Sequence, residues 1–198
     1  MAGKRKLGAA VALALLVSAG AALAWTPSAE AVKTAQTGKV WFQVTPDPQG
    51  APALGRAVVD INASPPVVWK ILMDCAAARR LMPSNRGCRV LQRDPAGKWD
   101  VREHILKTPL MPNLRTVFRE DLEPQKRMVI TRVDGDLKII SGEWRLEPLP
   151  GGGTRVSQEM RMQPAFPAPG PMVRSFVRGE ISGGLANLKR EAEAAARS

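Results

Sequence analysis

The residues that could do acid–base chemistry are few, because the chain has one histidine and no tyrosine. His104 stands beside Glu103 in a segment that alternates like a β-strand, so the two side chains point to opposite faces and cannot form a close pair. One interpretation makes His104 an acid or base inside a cavity. The favoured interpretation is a histidine at the surface or at a sheet edge, and no catalytic residue is predicted.

Metal and phosphate chemistry find little support in the sequence. Two cysteines and one histidine are too few for a zinc site. The glycine run Gly151–Gly153 is expected to be a hairpin loop, since nothing places it before a helix as phosphate binding requires. We therefore predict no metal and no cofactor.

The first 24 residues predict a secretory signal peptide. Lys4, Arg5 and Lys6 precede an uncharged run from Leu7, and Ala22-Leu23-Ala24 supplies small residues for cleavage. The alternative is an uncleaved segment that tethers the protein to the membrane. We expect cleavage near Ala24 and an exported protein, most simply periplasmic, with a flexible linker over residues 25–37 and one domain over residues 38–196.

The two cysteines are expected to pair because export brings the protein into an oxidising compartment. A Cys75–Cys88 disulfide would close a short loop and stabilise the fold by about 3 kcal/mol. The alternative is two separate buried thiols.

The net charge is +11, and removal of three signal-peptide cations leaves +11 − 3 = +8. A basic surface favours nucleic acid, anionic lipid headgroups or anionic ligands as partners. Export makes nucleic acid the least expected of these, and we predict peripheral contact with an anionic membrane and no nucleic-acid partner. The alternative is a solvated basic surface that has no dedicated partner. The sequence supports no prediction of the oligomeric state.

The order of predicted elements indicates an α+β fold. Two strands over residues 40–44 and 55–62 form a hairpin, and short helices follow from Ser64 and over residues 75–81. Five strands with short turns then predict an antiparallel meander. A long helix ends near Ala196, and its apolar stripe must cover the sheet. A curved antiparallel sheet wrapped around this helix leaves room for an apolar cavity.

With this order of elements, the chain resembles the START-related helix-grip superfamily (SRPBCC), in its polyketide cyclase / coenzyme Q-binding branch. The resemblance covers residues 38–196 and implies an internal cavity for lipids, isoprenoid quinones, sterols or aromatic polyketides. Some members bind or carry such molecules, and a few catalyse cyclisation or aromatisation. The matching stretches are Ile61-Asn62-Ala63-Ser64-Pro65-Pro66-Val67-Val68-Trp69, Leu81-Met82-Pro83, Arg89-Val90-Leu91, Gly142-Glu143-Trp144-Arg145-Leu146, Gly153-Thr154-Arg155-Val156 and Leu185-Ala186-Asn187-Leu188-Lys189.

The predicted cavity lining is apolar and comes from the meander and the last helix. Methionines are frequent in it, and their flexible thioethers adapt to varied ligand shapes. The alternative for each residue is ordinary core packing. Residues 106–114 are expected to form a mobile gate or simply a wide loop, and Arg115 and Arg132 are candidate anchors for an anionic headgroup. The predicted lining residues are Met111, Phe118, Ile140, Trp144, Met160, Met162, Phe176, Ile181 and Leu185.

Three functions remain open from the sequence. The first is an exported protein that binds or carries a lipid, an isoprenoid or a sterol-like molecule. The second is a cyclase- or aromatase-like enzyme on an aromatic or polyketide substrate, with His104, Glu103 or an arginine in the cavity. The third is an interaction module of the cell envelope with a solid core and no ligand. The small catalytic inventory favours the first.

Overall fold

A computed structural model describes residues 25–107 and 112–198. The predicted signal peptide and Met111 lie outside these residues. The described part has four helices and eight strands, one helix and one strand more than predicted, and the predicted elements occur in the predicted order. They are α1 Ala29–Gln36, β1 Trp41–Thr45, β2 Ala53–Ile61, α2 Pro65–Met73, α3 Ala78–Leu81, β3 Asn85–Arg93, β4 Trp99–Leu106, β5 Leu114–Glu123, β6 Arg127–Gly135, β7 Leu137–Pro148, β8 Thr154–Pro164 and α4 Gly170–Ala195.

All eight strands form one antiparallel sheet in the order β1-β2-β8-β7-β6-β5-β4-β3. Strands β3 to β8 form the antiparallel meander, which has six strands rather than the predicted five, and the predicted β1–β2 hairpin pairs with β8. The helix-grip prediction is confirmed: α4 covers one face of the sheet, and the main core lies between them.

Close packing between α4 and β2 depends on Gly55. A Cβ atom at this position would lie 2.5 Å from Ile181 Cδ1 and 2.8 Å from Val177 Cγ1. The missing side chain therefore allows the helix to approach the strand directly. Val177 and Ile181 are almost fully buried at this contact, which is where the sheet holds the helix.

The predicted flexible linker is wrong for residues 29–36, which form α1. Ser28 caps the helix by accepting the Ala31 N–H at 3.2 Å. Ala31 and Ala35 pack with Val58 on the face of β2 opposite to α4. An alanine pair gives only a weak apolar period, so the sequence pattern did not separate this short helix from a linker.

The second short helix is also shorter than predicted, since α3 begins at Ala78 rather than Cys75. Asp74 accepts the Ala76 N–H at 2.8 Å and holds the preceding residues in a turn. The predicted Cys75–Cys88 disulfide is present, with Cα atoms 5.4 Å apart, and it joins this turn to β3.

Candidate functional site

A partly enclosed cavity of about 90 Å³ lies between α4 and the inner face of the sheet. Six residues of the predicted lining contact it: Phe118, Ile140, Trp144, Met160, Met162 and Ile181. The other apolar residues that line it are Leu72, Met82, Leu106, Met128 and Ile130. The walls are therefore mostly apolar and include four methionines, as a site for a hydrophobic molecule requires.

Two predicted lining residues do not contact the cavity. Leu185 is fully buried in the main core, and Phe176 is half-buried against it. Only the stripe of α4 with Glu180, Ile181 and Gly184 faces the cavity, and Leu185 is turned by about 100° from Gly184. Met111, the ninth predicted residue, lies outside the described residues.

A larger groove of about 510 Å³ lies on the outer face of the sheet and is open to solvent. Its walls carry charged side chains that already pair with one another, such as Glu159 with Arg161 at 2.8 Å and Glu143 with Arg145. Its lining is far more polar than that of the cavity under α4, so this cavity is the better candidate site for a hydrophobic molecule despite its smaller volume.

The polar wall of the cavity region comes from β4 and β5. Alternation along β4 turns Asp100, Arg102 and His104 to the inner face, and all three are buried. Register with β5 sets Asp100 opposite Glu120. The prediction of a surface or edge histidine is wrong, because His104 lies on an interior strand, is only 6% exposed and lines the cavity.

Arg102 forms the centre of this wall. Its guanidinium donates to both carboxylate oxygens of Asp100 at 3.0–3.2 Å and to the Met73 carbonyl at 3.2 Å. Glu120 Oε2 lies 2.9 Å from Arg102 Nε, but the single Nε hydrogen is directed at Asp100, so this oxygen receives no hydrogen bond from the described residues. The charges of Asp100 and Arg102 thus neutralise each other next to Glu120.

Burial raises the pKa of Glu120 to about 8. The nearby Asp100 carboxylate raises this pKa further, and the Arg102 cation only partly opposes the rise. Glu120 therefore holds its proton at neutral pH. A protonated carboxyl can donate one hydrogen bond into the cavity that it lines.

Only one of the two ring nitrogens of His104 has a hydrogen-bond partner among the described residues. Nδ1 lies 3.2 Å from Asn85 Nδ2, whereas Nε2 is buried and has no hydrogen-bond partner among the described residues. An edge-to-face contact with Phe118, at 4.9 Å between ring centroids, fixes the ring plane. Burial, reinforced by the Arg102 cation, lowers the pKa of His104 to about 4, so the ring is neutral at pH 7.

Glu180 brings a further carboxyl from α4 to the cavity. Its Oε1 accepts the Ser84 N–H at 3.0 Å, and its Oε2 is buried without a partner among the residues described. Burial raises the pKa of this carboxyl. The apolar cavity therefore has several polar groups at its margin whose hydrogen-bonding capacity the described residues do not use.

The predicted arginine anchors do not reach the cavity. Arg115 points to the outer face of β5, where it pairs with Glu103 at 2.7 Å and Asp134 at 2.8 Å. Arg132 donates to the backbone carbonyls of Gly135 and Leu137. Over residues 25–107 and 112–198 there is no group of three or more side chains that could hold a metal ion. No helix in that same part of the chain is long and apolar enough to cross a membrane.

The buried polar wall was missed by the sequence interpretation, although a signal for it exists. Asp100, Arg102 and His104 alternate with Val101 and Ile105, so period two alone places the three polar residues on one face. The sequence does not give the strand register that brings Glu120 beside them. Nor does it give the helix position that encloses them.

The comparisons agree with this geometry. Residues 52–193 match the model of a family described as polyketide cyclase / dehydrase and lipid transport. No curated protein matches the chain. Among solved structures, a STAR-related lipid transfer protein of Xanthomonas axonopodis is 22% identical, with a TM-score of 0.65 over 77% of this chain and 93% of that chain.

Two further solved structures share the fold at lower identity. The lipid transfer and protein localisation domain of human StarD13 is 15% identical, with a TM-score of 0.63 over 78% of this chain and 85% of that chain. The Zhui aromatase/cyclase of a Streptomyces species is 14% identical, with a TM-score of 0.56 over 79% of this chain and 94% of that chain. At these identities, the similarity concerns the fold alone.

Proposed function

The chain belongs to the polyketide cyclase / dehydrase and lipid transport family, and from this we propose that it binds or carries a hydrophobic molecule such as a lipid or an isoprenoid. The observation that carries the proposal is the partly enclosed, largely apolar cavity between α4 and the sheet. A few polar groups at the margin of an apolar cavity supply orientation and specificity, which is the usual composition of a small-molecule site.

The cavity volume sets a condition on this proposal. About 90 Å³ is below the roughly 300–1,000 Å³ of sites for drug-sized ligands, so a long chain requires the walls to move. Met82, Met128, Met160 and Met162 are unbranched and change rotamer at low cost, which supports such an expansion. Gly184 faces the same space and presents no side chain to it.

Extraction of the purified protein tests the proposal. The full chain is expressed in its own host, isolated under native conditions, washed free of detergent and extracted with organic solvent for mass spectrometry. We expect one class of hydrophobic molecule at close to one equivalent per protein. Extracts that match those of a control protein of similar size would contradict the proposal and favour an interaction module without a ligand.

A cyclase- or aromatase-like enzyme is a second candidate, and one observation favours it. His104 and Glu120 both line the cavity, and burial moves their pKa values in opposite directions, to about 4 and about 8. Neutral donors beside an apolar cavity can polarise a substrate carbonyl. This candidate predicts that His104→Ala abolishes turnover of an aromatic polyketide. Unchanged turnover would remove His104 from the mechanism.

We further propose that the protein is exported and acts in the cell envelope. The Cys75–Cys88 disulfide supports this location, since such bonds persist in oxidising compartments. Sequencing of the amino terminus of the protein recovered from the periplasmic fraction tests it. Trp25 at the terminus is the expected result, and an intact Met1 in the cytoplasmic fraction would contradict it.

We also propose peripheral contact with an anionic membrane. The supporting observation is the partly exposed ring of Phe42, 36% accessible, with the Arg178 guanidinium 5.8 Å from its centroid. An apolar ring beside a cation suits the interface of an anionic bilayer. Sedimentation with vesicles tests this contact: binding to anionic but not zwitterionic vesicles is expected, and Phe42→Ser with Arg178→Ser should weaken it.

A further inference from the structure

The tautomer of His104 determines what kind of ligand atom it can bind. A neutral imidazole carries its hydrogen on one nitrogen only, so the other nitrogen is an acceptor. His104 Nε2 is buried beside the cavity without a partner among the described residues. Whether this nitrogen donates or accepts follows from the hydrogen bond at the opposite nitrogen, Nδ1.

The Asn85 side chain fixes that hydrogen bond. Its Oδ1 accepts the Gly87 N–H at 2.9 Å, and a backbone N–H can only donate. The Asn85 amide is therefore oriented with Nδ2, which can only donate, 3.2 Å from His104 Nδ1. Nδ1 must accept, so the ring hydrogen lies on Nε2. His104 thus presents an N–H donor without a partner to the cavity, and Asn85 is the residue that positions it.

The charges around His104 disfavour an anion at this donor. Arg102 is the nearest cation, and Asp100 already neutralises it at 3.0 Å. Glu120 and Glu180 both line the cavity, and burial raises the pKa of each carboxyl, which indicates surroundings that oppose negative charge. Thr116, opposite His104 on β5, is uncharged. A neutral acceptor therefore suits the donor better than a carboxylate or a phosphate.

We propose that the ligand is an uncharged apolar molecule with a carbonyl oxygen, and that this oxygen accepts the His104 Nε2–H. The inference rests on the proposed binding function and specifies its ligand class. A buried donor without a partner is costly, and an acceptor on the ligand removes that cost. An otherwise identical hydrocarbon leaves the donor unsatisfied and binds about tenfold more weakly.

Nitrogen NMR of the full chain tests the tautomer directly. His104 is the only histidine, so its ring signals need no assignment by mutation. At neutral pH we expect one pyrrole-type signal at Nε2 and one pyridine-type signal at Nδ1. The Asn85→Ala variant should give a mixture of tautomers, which a purely structural role of Asn85 would not produce. A wild-type protein with its hydrogen on Nδ1 would overturn the proposal.

A matched pair of small probes tests the ligand class. Indanone and indane share one fused ring system and differ by a single carbonyl oxygen. We expect indanone to bind about tenfold more tightly and to shift the Nε2 signal, whereas indane shifts only the signals of apolar lining residues. The His104→Phe variant should lose the preference. Phe176→Leu, which alters a side chain that packs against the core but does not line the cavity, is the control and should keep it.

The outcomes separate this inference from the proposed function. Equal affinities for indanone and indane, with no change at Nε2, would overturn the carbonyl inference and leave hydrophobic binding intact. Binding of neither probe would overturn the proposed function and the inference with it. If His104→Phe does not fold, the Nε2 shift in the wild-type protein still decides the question.

Discussion

The two sides of the sheet under α4 differ in how they meet the helix. At β2 the helix lies directly on the strand, with Val177 and Ile181 against the bare backbone of Gly55 and fully buried apolar neighbours. At β4 and β5 the inner face carries Asp100, Arg102, His104 and Glu120, and a cavity adjoins the last two. On the β2 side, close apolar packing leaves no space between helix and strand. On the β4–β5 side, His104 and Glu120 each have a buried polar atom without a hydrogen-bond partner among the described residues.

This difference indicates a division of labour within one fold. Apolar side chains in close contact need only a matching shape, and they stabilise the attachment of the helix. Buried polar groups that lack partners lower stability, so their presence in one region is better explained by binding than by folding.

Removal of the arginine on the polar side should cause the largest loss of stability. Arg102→Leu removes the buried partner of the fully buried Asp100 at 3.0 Å and leaves it only the exposed Arg93 at 3.6 Å. We expect the free energy of unfolding in urea to fall by about 3–5 kcal/mol, as for other broken buried ion pairs. The control is Arg89→Leu, which breaks an exposed pair with Glu103 and should cost at most about 1 kcal/mol. Equal losses in the two variants would contradict a special role of the buried pair.

A truncation on the packed side should cost somewhat less and leave ligand preference unchanged. Leu185→Ala removes a fully buried side chain that does not line the cavity, so we expect a loss of about 3 kcal/mol in the free energy of unfolding. Because the polar wall is untouched, the preference for indanone over indane should persist. A lost preference would show that the two sides do not act separately.

The pH dependence of stability should reveal the buried Glu120 carboxyl. Its pKa is about 8 in the folded protein and near the ordinary 4.5 in the unfolded chain, so the folded state holds this proton more tightly between those values. The resulting stability is present at low pH and is lost as the pH rises through 8. His104 acts in the opposite sense, but only between its folded pKa of about 4 and its ordinary 6.5.

Above pH 6.5 the Glu120 contribution therefore dominates this pair. We expect the free energy of unfolding to fall by roughly 2 kcal/mol more in the wild type than in Glu120→Gln between pH 6.5 and about pH 9. Parallel pH profiles for the two proteins would mean that Glu120 is ionised in the folded state. Chemical denaturation across this range provides the measurement.

The sequence pattern predicted the buried apolar residues of the packed side well, but it did not predict the burial of the polar residues on β4 and β5. The period of α4 predicted Ile181 and Leu185 as inward residues, and both are buried, because helical spacing alone decides the face. The helical period alone could not show that Ile181 lines the cavity whereas Leu185 lies in the core. That separation depends on the tilt of α4 over the sheet, which no local pattern encodes.

His104 shows most clearly what a sequence pattern cannot predict about the site. Its strand and its face follow from alternation, but its burial depends on α4 and on five other strands of the meander. Glu103, the carboxylate next to it in the sequence, points outward and pairs with Arg89 and Arg115. The partner that matters, Asn85, comes from β3 through antiparallel pairing, in a register that the sequence does not give.

The most direct test of the central claim compares ligand occupancy in two glycine variants of α4. Gly184 faces the cavity, and a Cβ atom there would have no contact nearer than 4.0 Å, so Gly184→Leu should fill the cavity. Gly179 is exposed on the same helix, and Gly179→Leu supplies the matched control. Native mass spectrometry after incubation with host lipids should show bound ligand in the wild type and Gly179→Leu but at least about tenfold less in Gly184→Leu. Equal occupancy in all three proteins would contradict ligand binding in this cavity.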